Sequence, residues 1–259
     1  METFFLFLLV GLLAQAVDGA LGMAYGVISS SVLMAFGVPP AVASASVHGA
    51  EVFTTAASAG SHVWHKNVDW QLFVPLAIAG VIGGVAGAYL LSGITGSVIK
   101  PFVVAYLALM GVYILFRAVR GVKPKAIRPA WILAPLGLVG GFFDAIGGGG
   151  WGPTVSSTMV GAGEEPRKVI GTVNTAEFFL TVAISATFVW ALVTGHWREA
   201  EGLQDHLTAV AGLIVGGLMA APFAGLITKR VPHRVLTYAV GVLLLILALF
   251  QGLQLAKVI

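Results

Sequence analysis

The chain contains no cysteine and few charged side chains, and both features limit the class of protein to which it can belong. Without cysteine among its 259 residues it has no disulfides, no thiolate metal ligands and no cysteine nucleophile. Charged residues make up 10% of the sequence, hydrophobic residues make up 58%, and the mean hydropathy is +0.96. Such values lie outside the range of soluble globular domains, so we expect an integral membrane protein.

Motifs of soluble enzymes and nucleotide-binding proteins are also missing. The sequence has no nucleophile elbow, no Walker loop, no dinucleotide fingerprint and no HExxH pair. We therefore expect no enzyme activity, no cofactor and no resident metal. The basic residues lie in short stretches between apolar segments. We therefore interpret the net charge of +3 through the positive-inside rule for membrane proteins and not as a sign of nucleic-acid binding.

The most unusual stretch is FFDAIGGGGWGP, residues 142–153, where four glycines interrupt an apolar segment directly after Asp144. Each glycine in a helix interior costs about 1 kcal/mol relative to alanine, so the run predicts a helix break. Broken backbone within a membrane persists only where protein buries it or where it lines a cavity. Transporters use such breaks to aim half-helix N-termini at anions, and Gly147, Gly148, Gly149 and Gly150 are therefore candidate ligand contacts. The alternative is close helix packing on small residues.

The sequence repeats itself at an offset of 126 residues between positions 18 and 57. Thirteen of these forty positions are identical in the second half, which predicts a structural duplication. The identical positions in the first half are Asp18, Gly22, Gly26, Ser30, Ser31, Gly37, Pro40, Val47, Ala50, Glu51, Phe53, Thr55 and Ala57.

The fold predicted from these patterns is an all-α integral membrane protein with two repeats. The first repeat covers residues 1–120, a basic cytoplasmic linker covers 121–130, and the second repeat covers 131–259. Each repeat begins with a glycine-broken hairpin and continues with three transmembrane helices. The spans are predicted to be helices because the apolar runs are about 20 residues long and show no strand-like alternation. The predicted segments are 3–36, 40–63, 70–92 and 97–118, then 131–162, 166–194, 204–228 and 233–256.

The distribution of lysine and arginine favours an inverted arrangement of the two repeats. If the broken segment crossed the membrane once, the repeats would be parallel, with eight basic residues inside and six outside. If it folds back as a hairpin, the repeats are inverted, and only Lys100, Arg198 and Lys257 of the fourteen basic residues lie outside. The inverted arrangement agrees better with the positive-inside rule.

Four acidic residues fall inside the predicted membrane segments: Asp18, Glu51, Asp144 and Glu177. Each glutamate lies eleven residues after a helix-starting proline, which places it roughly 16 Å along the helix, near the bilayer centre. Intramembrane acids are by default functional, so we interpret these four as candidates for proton coupling or gating. The alternative is that each glutamic acid is neutral and only holds the two repeats together.

Polar side chains around these acids complete the candidate site. His48 precedes Glu51 by three residues on one helix face, and Asn174 precedes Glu177 in the same way. Serines follow both predicted breaks, where hydroxyls can cap freed backbone or bind an anion: Ser30 and Ser31 in the first half, Ser156 and Ser157 in the second. Tyr25 and Trp151 occupy equivalent positions just after the breaks and are either gates or core residues.

At these residues the sequence resembles the TauE/SafE sulfite-exporter family over nearly its whole length. The motifs that carry the resemblance are VDGALGMAYG (17–26), PPAVASASVHGAEVFTT (39–55), FFDAIGGGGWGP (142–153) and EPRKVIGTVNTAEFF (165–179). The resemblance implies a secondary transporter of sulfur-containing anions in the cytoplasmic (inner) membrane. It places the ligand near Gly147–Gly150, Ser30, Ser31, Asn174 and Thr175. ALGMAYG replaces the multi-glycine run usual in the first half of relatives, so the second break is the favoured ligand site.

The leading hypothesis is alternating-access transport of sulfite, an organosulfonate or a related oxyanion, coupled to protons through Glu51 or Glu177. The expected partners are a small anion and the lipid bilayer, with self-association left open. Four membrane acids without a membrane base support a second hypothesis, a cation or proton-coupled metal carrier. An intramembrane enzyme lacks a recognisable pair of nucleophile and base.

Overall fold

The structure, a computed structural model, describes residues 2–21, 23–120, 130–162, 164–198, 206–221 and 233–257. These residues form helices joined by short connections and contain no strand. The predicted linker lies almost entirely outside the described residues. The helices are α1 (Glu2–Leu21), α2 (Tyr25–Ala35), α3 (Pro40–Trp64), α4 (Trp70–Ser92), α5 (Gly96–Arg120), α6 (Ala130–Gly147), a π-helical turn (Gly152–Ser156), α7 (Ser157–Gly161), α8 (Pro166–Val193), α9 (Leu207–Ala220) and α10 (His233–Leu255).

Four of these helices are long and apolar enough to cross a bilayer. They are the spans Trp70–Ser92, Gly96–Phe116, Arg167–Val193 and Thr237–Leu255. Large apolar side chains such as Phe102, Leu109 and Leu249 are more than 60% exposed on the outer faces of α5 and α10. This exposure fits helices whose outer surface faces lipid.

Both segments that the sequence predicts to be interrupted contain a break. In the first half α1 ends at Leu21 and α2 begins at Tyr25. In the second half α6 ends at Gly147, and helix resumes with the π-helical turn and α7. The other predicted segments agree with the observed helices within two residues, except 204–228. For that segment the structure describes α9, while 204–205 and 222–228 lie outside the described residues.

Small residues bring two pairs of helices into backbone contact. Helix α4 packs along α6, and α1 packs along α9. A Cβ atom added to Gly141 of α6 would lie 2.2 Å from the carbonyl oxygen of Gly80 in α4, and one added to Gly216 of α9 would lie 2.0 Å from that of Leu8 in α1. Helices in lipid associate through close approach of this kind, because moving an apolar side chain from lipid into protein gives no hydrophobic free energy.

Helices α3 and α8 form the central pair around which the broken helices are arranged. Helix α3 contacts α8, α9, α2 and α6, while α8 contacts α3, α4 and the π-helical turn. Both helices begin with a proline at N1 or N2, where a missing N–H costs nothing. The pairing places the middle of both glutamate-bearing helices at the centre of the molecule.

We predict opposite effects of the same substitution at two glycines in helix interiors. Gly141→Ala should lower the free energy of unfolding by about 1–3 kcal/mol, because the added methyl must push α6 away from α4. Gly60→Ala in α3 is the matched control, because a Cβ there meets nothing within 4 Å. It should be neutral or stabilise by up to about 1 kcal/mol. Thermal unfolding of both variants in the same detergent measures the difference, and equal midpoints would contradict the packing argument.

Candidate functional site

The two helix breaks meet backbone to backbone in the interior. A Cβ atom on Gly149 would lie 2.0 Å from the amide nitrogen of Val27, and one on Gly26 would lie 2.6 Å from the carbonyl oxygen of Gly148. Gly148 and Gly149 also have φ values of +67° and +153°, which other residues rarely adopt. Glycine is therefore required here both by the chain's conformation and by the contact between the breaks.

Asp144 binds the amide groups that the second break leaves free. Its Oδ1 atom accepts hydrogen bonds from the backbone N–H groups of Gly150 and Trp151, at 2.7 and 2.8 Å. The side chain is 1% exposed, so no solvent competes for these donors. A carboxylate at the start of a helical segment is favourable because it meets both the free N–H groups and the positive end of the helix dipole.

The other oxygen of Asp144 contacts His48, which comes from α3. His48 Nε2 lies 3.1 Å from Asp144 Oδ2, and His48 Nδ1 lies 2.8 Å from the carbonyl oxygen of Ser44. Because a carbonyl oxygen can only accept, Nδ1 is the donor in its contact with Ser44. His48 is fully buried, and both its nitrogens are bonded within the protein. In this structure neither nitrogen is available to a substrate.

Serine hydroxyls bind the carbonyl groups at the end of α6. Ser30 Oγ donates to the carbonyl oxygen of Gly147 at 2.8 Å, and Ser44 Oγ donates to that of Ala145 at 2.5 Å. Both serines belong to the first half of the chain and both carbonyls to the second. Among the other predicted serines, Ser31 and Ser156 are buried and Ser157 Oγ lies 3.3 Å from the sulfur of Met23. Ser30 therefore caps the broken helix here.

At the first break Asp18 stands at the position equivalent to Asp144, but its hydrogen bond with the backbone is longer. Asp18 Oδ1 accepts from the backbone N–H of Tyr25 at 3.3 Å, across the seven-residue spacing that separates Asp144 from Trp151. Asn174 stands where the repeat would place the counterpart of His48. Among the described residues, the hydrogen bonds that Asp144 accepts at the second break are shorter than the one that Asp18 accepts at the first.

A polar cleft lies between α1, α2, α3 and α8. The space between its side chains is too narrow for a sphere the size of a water molecule. Its lining residues are Gln15, Asp18, Tyr25, Glu51, Thr54, Thr55, Ser58, Asn174 and Glu177.

Five residues that the sequence predicts for the site meet in this cleft: Asp18, Tyr25, Glu51, Asn174 and Glu177. The four glycines of the second break, with Ser30, His48 and Asp144, cluster around the crossing of the breaks. Glu51 of the cleft reaches the same crossing, because a Cβ on Gly26 would lie 2.7 Å from its Oε1 atom.

Two further predicted residues make their side-chain hydrogen bonds elsewhere. Thr175 donates to the carbonyl oxygen of Gly171 at 2.7 Å, within α8. Trp151 is fully buried, donates from Nε1 to the carbonyl oxygen of Val173 at 3.1 Å, and packs against Gly80. Trp151 is therefore a core residue in this structure.

Four cleft residues were not among the predicted site residues, although the sequence carries a signal for each. Gln15 precedes Asp18 by three residues on one face of α1. Thr54, Thr55 and Ser58 follow Glu51 by three, four and seven residues, which is the spacing of one helix face. Tracing the face that bears each acid would have found all four.

Within the described residues, no three side chains of histidine, aspartate or glutamate are grouped closely enough to hold a metal ion in this structure.

Comparison with known proteins identifies the family. The sequence profile described as "Sulfite exporter TauE/SafE" matches residues 7–250, which is most of the chain. The chain belongs to the TauE/SafE family. It is also 43% identical over 247 residues to the "Probable membrane transporter protein YtnM" of Bacillus subtilis (strain 168), covering 93% of this chain and 80% of that protein. No solved structure matches the chain. Together with its apolar helices, membership of the TauE/SafE family makes this chain a multi-pass membrane transporter.

We predict that removing the Asp144 carboxyl weakens the second break. Asp144→Ala should lower the free energy of unfolding by about 3 kcal/mol or more, because two buried N–H groups lose a charged acceptor. Asp144→Asn keeps an oxygen acceptor and should cost less. Asp69→Ala, which removes a cap from the exposed start of α4, is the control and should cost about 1 kcal/mol. Thermal unfolding in detergent measures all three, and an Asp144→Ala loss no larger than the control's would contradict the assignment.

Proposed function

We propose that this chain is a secondary transporter of small sulfur-containing anions that works by alternating access across the cytoplasmic membrane. The observation that carries the proposal is the cleft, because it brings Glu51 and Glu177 together with hydroxyl and amide groups at the centre of the α3–α8 pair. Central sites between the halves of the molecule are where secondary transporters bind their substrates. The family description supports sulfite or a related sulfur oxyanion as the substrate.

The composition of the cleft supports the proposal that protons accompany the anion. Hydroxyl and amide groups on Thr54, Ser58 and Asn174 can donate to an oxyanion once the cleft opens. The carboxylates of Asp18, Glu51 and Glu177 would repel the same anion strongly in a medium of low dielectric constant. Protonation removes this repulsion, so binding of the anion favours uptake of protons, and each crossing moves both.

The arrangement of the halves that we propose is an inverted repeat. Arg167 Nε donates to Asn67 Oδ1 at 2.6 Å, so the start of α8 lies beside the end of α3. Arg234 Nε donates to the carbonyl oxygen of Ala118 at 3.2 Å, so the start of α10 lies beside the end of α5. If the halves were parallel, each helix would start at the same side as its counterpart in the other half. These contacts support inversion, and the matching pairs α4–α6 and α1–α9 support a twofold relation between the halves.

From this arrangement we predict which side of the membrane individual residues face. Lys66→Cys and Lys168→Cys should react with a membrane-impermeant maleimide only from the cytoplasmic side, and Lys100→Cys only from the opposite side. The native chain has no cysteine, so it serves as the unlabelled background. Labelling of intact cells and of inside-out vesicles separates the two faces. Lys66→Cys and Lys168→Cys reacting from opposite sides would rule out the inverted arrangement.

We predict sulfite flux that depends on the pH gradient in proteoliposomes containing the purified protein. Sulfite, methanesulfonate, sulfate and a divalent metal ion are compared while a trapped dye reports internal pH. Glu51→Gln or Glu177→Gln should preserve anion binding and reduce the pH dependence of flux, because glutamine imitates the protonated acid. Asp69→Asn changes an acid outside the cleft and serves as the control. Absence of anion flux by the folded native protein would overturn the proposal.

The second candidate function is cation transport, and one observation favours it. Three carboxyl groups line the cleft, and no lysine or arginine is among its lining residues. The same variants separate the two candidates, because a cation site should lose binding when Glu51 or Glu177 becomes glutamine. Metal flux without anion flux would establish the cation carrier.

A further inference from the structure

A chain of hydrogen bonds joins the end of α3 to the start of α8. Asn67 Nδ2 lies 3.2 Å from His62 Nδ1, and Arg167 Nε donates to Asn67 Oδ1 at 2.6 Å. Beside this chain, Lys168 Nζ donates to the carbonyl oxygen of Lys66 at 2.8 Å. We call the side chains of His62, Asn67 and Arg167 the latch. In the proposed orientation the latch lies at the cytoplasmic end of the α3–α8 pair.

The latch stands on the same helix faces as two residues of the cleft. His62 follows Ser58 by four residues in α3, and Arg167 precedes Asn174 by seven in α8. These spacings place each pair on one face of its helix. Ser58 and Asn174 line the cleft and are joined by a hydrogen bond of 3.2 Å. Because Arg167 is exposed, the latch lies between the cleft and the surface, and separating the two helices there must break it.

Hydrogen-bonding chemistry fixes the protonation of His62 while the latch is closed. A guanidinium N–H group only donates, so Arg167 Nε faces the oxygen of the Asn67 side chain, and the amide nitrogen of Asn67 faces His62. That amide nitrogen is also only a donor. His62 Nδ1 must therefore accept, and the closed latch requires a neutral imidazole ring with its proton on Nε2.

A proton on His62 Nδ1 breaks the chain at one of its two hydrogen bonds. The new N–H group would point at the amide hydrogens of Asn67. Turning the amide over restores this contact, but it places the amide nitrogen against Arg167 Nε, which is again a donor. The positive charges of His62 and Arg167 would also repel each other across one neutral amide. Protonation therefore weakens the link between the helices in either orientation of the amide.

A second histidine at this end of α3 is bonded differently. His65 Nδ1 donates to the carbonyl oxygen of Ser61 at 2.8 Å, so a second proton on this ring leaves that contact intact. His62 alone of the two has a contact that protonation must break. The titratable and charged residues around His62, on the connection from α3 to α4 and at the start of α8, are His65, Lys66, Asp69, Glu164, Glu165, Arg167 and Lys168.

Resting on the function proposed above, we propose that the latch is the cytoplasmic gate of the anion site and that a proton on His62 opens it. With the latch closed, α3 and α8 stay joined beside Ser58 and Asn174. Protonation releases Arg167, so the start of α8 can move away from the end of α3. The cleft then opens to the cytoplasm when protons are plentiful there, which is the condition under which the anion and its protons bind together.

The test measures the distance between the two helix ends with spin labels on Ser61→Cys and Glu165→Cys. Both positions are exposed, and the native chain has no cysteine to compete for the label. The labelled protein is compared in lipid nanodiscs at about pH 8 and about pH 5.5, on either side of the ordinary histidine pKa of about 6.5. Acidification should lower the ratio of closed to open populations about tenfold or more, the effect of losing one hydrogen bond to a charged group.

Three variants of the labelled protein assign the response. His62→Gln keeps an acceptor for Asn67 but does not titrate, so it should stay closed at both pH values. Arg167→Gln removes the charged donor and should be open at both. His65→Gln is the matched control, because it removes a neighbouring histidine that does not contact Asn67, and it should respond to pH as the native residue does.

Two results would overturn the latch. One is a distance that does not change with pH when His62 is present, and the other is a pH response that persists in His62→Gln, which would assign it to other groups such as the acids of the cleft. If Arg167→Gln does not fold, the comparison of His62→Gln with His65→Gln decides. Absence of anion flux by the native protein would overturn the proposed function, while the distances, which need no substrate, still decide on the latch.

Discussion

The interior of this protein depends on one constraint, that backbone groups freed by a helix break inside a membrane must find partners within the protein. Each unpaired N–H or C=O group in hydrocarbon costs several kcal/mol. At the second break the N–H groups of Gly150 and Trp151 are bound by Asp144, and the carbonyl groups of Gly147 and Ala145 are bound by Ser30 and Ser44. Without these contacts the chain could not interrupt α6 where it does.

These contacts also connect the two halves of the molecule. Both serines belong to the first half, and His48 of α3 holds the second oxygen of Asp144. The break is therefore a junction at which the first half satisfies the backbone of the second. Close approach between Gly26 and Gly149 brings the two broken segments together at this point.

The cleft differs from this junction in composition. It brings three carboxyl groups together with hydroxyl and amide groups, whereas the junction joins backbone groups to one carboxylate and to serine hydroxyls. Unpaired buried atoms occur in both regions: Gln15 Oε1 and Glu51 Oε2 in the cleft, and the Tyr106 hydroxyl oxygen beside Gly150 at the second break.

The sequence alone determined the class of the protein, its helices and the positions of both breaks. Apolar runs of bilayer length, a proline at the start of α3 and of α8, and glycines near Asp18 and Asp144 are local signals, so they can be found without knowing the fold. It also singled out five of the residues that meet in the cleft, because acids and amides are conspicuous in an apolar segment.

Only the tertiary structure decided which polar residues share a site. His48 and Asn174 are equivalent in the sequence, yet His48 contacts Asp144 at the junction while Asn174 lines the cleft. Gln15 of α1 lines the cleft, whereas the corresponding position of α6, Gly141, lies in backbone contact with α4. This difference depends on contacts between helices that are far apart in the chain. Such contacts leave no periodic signal, since the partner of a buried polar group is chosen by packing and not by its neighbours in sequence.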